Sequence, residues 1–203
     1  MIASHNNLPI YEAFVDGDDT GMAVVSLVAE GAIESDFLAF DKQKETLRFS
    51  VQDEEQRMVL GAVMIPDKLI YRRDADNFEY YIKYSKETIA QMNEKYFADL
   101  ACNNVDTDHS FNLVEGVTLV QAFIKDTDKG INPIGFEDLP DGTLFYQYHI
   151  TSDDVWEGVK DGTWNGFSLA GTFNVRPVEL KKQNVLDDIY TLVEKINNKI
   201  NKK

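Results

Sequence analysis

Between Thr46 and Phe173 the chain breaks into short apolar runs of strand length, and regular helical stretches do not separate them. A doubly wound parallel sheet needs a crossover helix between successive strands, so this order predicts an α+β fold with a mainly antiparallel sheet or barrel. Met58-Val59-Leu60 and Ala62-Val63-Met64-Ile65 form a nearly continuous apolar run, the pattern of a strand buried on both faces, and Pro66-Asp67-Lys68 stops it. Residues 22–29 form a second apolar run, with Phe37 and Phe40 as expected anchors beyond it. Thr46 to Val51 alternates, and Ile70–Arg73 and Phe78–Lys83 flank Asp74-Ala75-Asp76-Asn77 as a hairpin. Val117–Lys125 and Leu144–Ile150 read as strands on either side of a loop, 126–143.

Helix signals are few and well marked. Ser85 has cap chemistry ahead of Ile89, Met92, Tyr96 and Phe97, which make one face through about Leu100. Ser152, followed by Asp153 and Asp154, starts a short helix over Val155–Lys160. Past Pro177, Val185, Ile189, Leu192, Val193, Ile196 and Ile200 recur three and four apart, an amphipathic helix. At 203 residues the chain supports one sizeable domain with a tail, divided here as 1–177 and 178–203. The tail suits dimerisation or docking on another protein. Residues 1–21 read as polar and turn-rich. Asp16-Gly17-Asp18-Asp19 has no glutamate at the twelfth loop position, so it is an acidic turn rather than a calcium loop.

Charge and composition then remove classes of function. Twenty basic against 35 acidic residues give a formal charge of −15, which opposes binding to nucleic acid or anionic membranes. One cysteine, Cys102, permits neither an intrachain disulfide nor a cysteine-built zinc site; it reads as a structural thiol. No apolar run reaches membrane-spanning length and no signal pattern opens the chain, so a cytoplasmic compartment is expected. Phosphate-binding glycine loops and metal-spaced His/Cys clusters are missing, so no metal or cofactor is expected.

What remains is nucleophile chemistry. Gly162-Thr163-Trp164-Asn165-Gly166-Phe167-Ser168-Leu169-Ala170-Gly171-Thr172-Phe173 alternates like a strand yet carries three glycines, a mark of close backbone approach or a bulge. Ser168 at its centre is either a nucleophile or a small polar residue in a tight place. His5 lies in a terminal segment and His149 inside a strand. His109 sits in a polar turn with Asp106 and Asp108, a setting that can raise an imidazole's basicity and fix its tautomer.

Several blocks in order carry a family likeness. They are Val25 to Phe37, Arg57 to Pro66 with Ile70-Tyr71-Arg72-Arg73, and Tyr81 to Thr88 with the helix to Phe97. Asn103-Asn104-Val105 ahead of His109 and Val155 to Lys160 leading into Gly166 to Gly171 complete the series. Over roughly residues 22–175 the chain resembles the XkdF-type phage prohead serine proteases, a branch related to the herpesvirus assemblin fold. The resemblance implies a β-barrel flanked by helices, with Ser168 as nucleophile and His109 as general base. It implies cleavage of scaffold and major capsid protein segments inside a phage prohead assembled in the bacterial cytoplasm, by a homo-oligomer, expected to be a dimer. Gln121 and Ala170 stand where relatives carry acids, which leaves Asp106, Asp108, Glu115 and Glu179 as candidates for a third catalytic member. The alternative is a catalytically weak or inactive capsid-assembly protein that keeps the protease fold.

Overall fold

The computed structural model describes residues 4–17, 19–29, 49–53 and 56–179. Phe37, Phe40 and the helix expected from Val185 lie outside them. The first strands are β1 (Ser4–His5), β2 (Leu8–Phe14), β3 (Gly21–Val28), β4 (Phe49–Asp53) and β5 (Met58–Met64). β6 (Ile70–Arg73) and β7 (Glu79–Tyr84) lead to α1 (Lys86–Ala98). After β8 (Val105–Thr107), β9 (Val117–Ile124) and β10 (Leu144–Ile150) come α2 (Asp153–Lys160), β11 (Gly166–Thr172) and β12 (Asn174–Pro177).

The fold is α+β, and most strand pairs are antiparallel. The expected closed barrel does not form among the described residues. The strands make three sheets: β1-β2-β7-β6 with β12 also on β2, β4-β5-β10-β9, and β11-β3-β8. Each path ends in edge strands, whereas closing a barrel gives every strand two neighbours. Two pairs, β2–β7 and β3–β8, are parallel. The N-terminal segment also departs from its polar reading, because Leu8–Phe14 is a strand that sits between β7 and β12. Pro9 and Glu12 break its alternation, and Pro9 falls where β2 pairs only with the two-residue β1.

Local chemistry explains the helices. Ser85 Oγ accepts from the Thr88 amide at the start of α1, and Ser152 Oγ accepts from Val155 at the start of α2. α1 buries Ile89, Met92 and Tyr96 against β3 and β10. From Tyr96 an aromatic train runs through the core. Tyr96 stacks on Tyr146 at 6.0 Å, Tyr146 meets Tyr148 edge-on, and Tyr148 meets Phe167 at 5.3 Å. Desolvation holds the hydroxyls of Tyr96, Tyr146 and Tyr148 above the usual phenol range, so all three remain neutral. Phe167 is fully buried and immediately precedes Ser168, so the core anchors the serine strand next to its reactive residue.

The glycines of that strand have specific work. β11 is bulged between Ala170 and Gly171 where it pairs with β3. A Cβ on Gly171 would lie 2.2 Å from the Gly21 carbonyl oxygen, so only glycine allows the two backbones to meet there. Upstream, the Trp164 indole lies over Gly158 of α2, where a Cβ would come within 2.4 Å of Nε1. The Asn165 amide then donates to the Val28 carbonyl at 3.0 Å, which sets β11 on β3.

Candidate active site

β3 is the middle strand of its sheet, and its registers with both neighbours define a row. Ser168 of β11 is opposite Ser26 of β3, and Ser26 is opposite Asp106 of β8. Directly registered residues project from the same face of a sheet. All three are buried, Ser26 and Asp106 completely. Three polar side chains in one row of an otherwise apolar sheet require partners, since buried polar groups are hydrogen-bonded.

His109 partners two of them. Its Nε2 lies 2.9 Å from Ser168 Oγ, and its Nδ1 lies 3.0 Å from Ser26 Oγ. The imidazole thus spans the two serines of adjacent strands. If Nε2 accepts the Ser168 proton, Nδ1 carries the ring hydrogen and donates it to Ser26 Oγ.

The turn that carries the ring is unusual. Asp108, His109 and Phe111 have φ of 51°, 55° and 57°, left-handed values that non-glycine residues seldom adopt. Backbone bonds hold it on both sides: the Asp108 amide donates to the Leu27 carbonyl at 3.0 Å, and Ser110 closes on Thr107 at 3.1 Å. Asp106 Oδ2 accepts from the Phe111 amide at 2.6 Å, while its Oδ1 has no hydrogen-bond partner. Asp106 therefore fastens the far end of the histidine turn.

None of the four carboxylates expected as a third member bonds the ring. Asp106 is in the row but is directed to Phe111, and Asp108, Glu115 and Glu179 are exposed. A serine hydroxyl occupies the place assigned to a carboxylate. Sequence reading missed Ser26 because it sits inside the apolar run 22–29. The available signal was its spacing: Ser26 lies two residues from Val24 and from Val28, a lone hydroxyl on one face of an apolar strand. Gln121 and Ala170 do not contribute to this row. Of the other histidines, His5 packs edge-on to Tyr81 at 5.0 Å and His149 lies in β10 opposite Met58 and Thr118.

Among the described residues no group of three His, Cys, Asp or Glu side chains could hold a metal, and no helix is long and apolar enough to cross a membrane. The arrangement can move a proton from Ser168 to His109 while the opposite edge of the ring is held.

Residues 46–176 match the family model described as "Putative phage serine protease XkdF". The chain is 29% identical over 169 residues to the phage-like element PBSX protein XkdF of Bacillus subtilis (strain 168). That match covers 78% of this chain and 56% of the relative, so the chain spans little more than half the relative's length. No solved structure matches the chain.

Proposed function

The chain belongs to the family of phage serine proteases that includes XkdF, and on that footing we propose that it is a serine endopeptidase with Ser168 as nucleophile and His109 as general base. The carrying observation is the pair of hydrogen bonds that fixes the His109 ring between Ser168 and Ser26. Ser168 Oγ attacks the peptide carbonyl carbon as its proton passes to His109 Nε2. The imidazolium then protonates the leaving amine, and water regenerates the serine by the same exchange. Among the described residues β11 pairs with β3 alone, which leaves alternate backbone amides of β11 for a substrate's carbonyl oxygen.

Ser26 acts as a positioning residue. Its hydroxyl accepts from Nδ1, holds the tautomer and orients the ring, but it brings no charge to stabilise the imidazolium. Asp106, one strand further along the row, contributes by fixing the turn. Substrates, by the same reading, are segments of phage scaffold and major capsid protein cleaved within the prohead, and the relation to the herpesvirus assemblin fold is part of this proposal. The 178–203 tail is read as a dimerisation or scaffold-docking element.

The direct test is reaction of the full chain with a fluorophosphonate, followed by peptide mapping. A single adduct on Ser168, absent in His109→Ala, is the expected result. Co-expression with the scaffold and capsid proteins should then yield cleavage products. Absence of both adduct and cleavage, with shells still assembling, would move the assignment to an assembly protein that keeps the protease fold. That no carboxylate among the described residues bonds His109 is the observation that favours that second reading.

Ser26→Ala separates positioning from structure. It leaves the Nδ1 hydrogen without its acceptor, and kcat should fall about 10- to 100-fold, the range that one unpaired polar group costs, with KM nearly unchanged. Ser26→Thr, which retains the hydroxyl, should recover most of the loss. A change confined to KM would assign Ser26 another role.

A further inference from the structure

A hollow of about 430 Å³, its open mouth included, lies against Ser168 between β5, β6 and β11. That is the scale of a single side chain and far too small for a folded partner. Its walls are mainly aliphatic, with Met64, Ile70 and Leu169 among them. Its polar lining is Lys68, Arg72, the Tyr84 hydroxyl and Ser168, and among the described residues no carboxylate lines it.

Strand geometry explains the cationic lining. Ile70 and Arg72 are two residues apart on β6 and face the hollow, while Tyr71 and Arg73 alternate to the other side. Two described acids on neighbouring elements are engaged elsewhere. Glu79 bonds the Tyr71 hydroxyl, and Asp67 pairs with Lys83 at 2.5 Å. Arg72 donates to the Tyr71 carbonyl at 3.2 Å and forms no ion pair among the described residues. Burial pushes the Tyr84 hydroxyl up to about 12, so it keeps its proton and can donate.

We propose that this hollow is the specificity pocket for a glutamate side chain flanking the scissile bond. The proposal rests on the reading of Ser168 as the nucleophile, because that reading brings a peptide to this edge of β11. The methylenes of glutamate pack on the aliphatic walls, and its carboxylate meets the guanidinium of Arg72 and the Tyr84 hydroxyl. Glutamate suits the lining better than aspartate, which has too short a stem to use the walls. A net charge of −15 opposes acidic peptides at long range. At about 0.1 M salt that field is screened beyond roughly 10 Å, whereas the Arg72 guanidinium acts at contact.

A library of natural peptides digested by the full chain, with cut sites read by mass spectrometry, tests the assignment. Glutamate should be enriched about tenfold or more over glutamine at one position beside the cut, the gain expected of a hydrogen-bonded charge. Arg72→Glu should abolish or invert that ratio. Fluorophosphonate labelling of Ser168 in that variant reports separately on the nucleophile. Normal labelling with equal use of glutamate and glutamine, or a preference unmoved by the Arg72 reversal, would overturn the pocket assignment. If wild-type Ser168 is not labelled, the protease reading fails, and the pocket is then judged by binding alone. In that arm, fluorescein-tagged alanine peptides with one central glutamate or glutamine are titrated onto Ser168→Ala protein. Tighter binding of the glutamate peptide that is lost on adding Arg72→Glu supports the pocket, and equal binding of the two refutes it.

Discussion

Ser168→Ala is expected to lower kcat/KM for peptide cleavage by about 10⁴- to 10⁶-fold, and His109→Ala by a similar factor. The two residues act through one proton transfer, so the double variant should be no slower than either single one. This non-additivity is the sharper half of the prediction: independent contributions would multiply, whereas a shared step can be lost only once. Folding should survive, because Ser168→Ala removes one hydroxyl and one hydrogen bond of 2.9 Å from a strand that Phe167 and the β3 ladder hold in place. Thermal melts of the three variants check that point, and cleavage assays against the wild type check the rest. Cleavage that persists in Ser168→Ala at more than about a tenth of the wild-type rate would remove Ser168 from the mechanism, since nucleophile loss costs orders of magnitude.

The largest stability effect is expected far from this row, at Lys125. It is 2% exposed, yet among the described residues its side chain forms no ion pair. Instead Nζ donates to the carbonyls of Phe136, Glu137 and Leu139 at 3.0, 2.9 and 2.7 Å. Its backbone ties the same loop at both ends, through the Thr143 carbonyl and the Gly142 amide, each at 2.9 Å. One ammonium group thus organises the loop between β9 and β10. Lys125→Met keeps the length and burial of the side chain but strips three charge-assisted bonds, and it should cost about 3–5 kcal/mol. Urea unfolding should show the lower midpoint, and limited proteolysis should cut first within residues 127–142. Lys125→Arg should not restore stability, because a planar guanidinium cannot present three donors in the compact arrangement of an ammonium. A loss below about 1 kcal/mol would mean that water replaces Nζ at little cost.

The same loop shows how far local pattern carries. Its prolines and glycines mark it as irregular, and the run ending at Lys125 reads as a strand, but nothing local says that the lysine turns inward to hold the loop closed. The strands from Met58 to Met64, Ile70 to Tyr84 and Leu144 to Ile150 follow from period-two patterning and from the proline and acidic turns between them. The caps at Ser85 and Ser152 follow from short-range hydrogen bonding. These are local effects, decided within a few residues. The strand at Leu8–Phe14 was not legible, because Pro9 and Glu12 interrupt its pattern and its pairing with β7 joins residues some 70 apart: Ile10 is opposite Tyr81. The expected barrel failed for a related reason: closure depends on how distant edges meet, and alternation within a strand carries no record of that.

The sequence by itself determined the α+β class, the strand that carries Ser168, the polar turn that carries His109, and the exclusion of an intrachain disulfide and a cysteine-built zinc site. Each depends on residue type and spacing along the chain. The tertiary structure decided which groups meet. Pairing of β11, β3 and β8 puts Ser168, Ser26 and Asp106 in one row, and the left-handed turn lowers His109 onto the first two. Those contacts span 59 and 83 residues, so no local pattern could choose Ser26 over four nearby or exposed carboxylates. Register across a sheet is set by the packing of whole strands, and it is register that turned a buried hydroxyl in an apolar run into the second partner of the histidine.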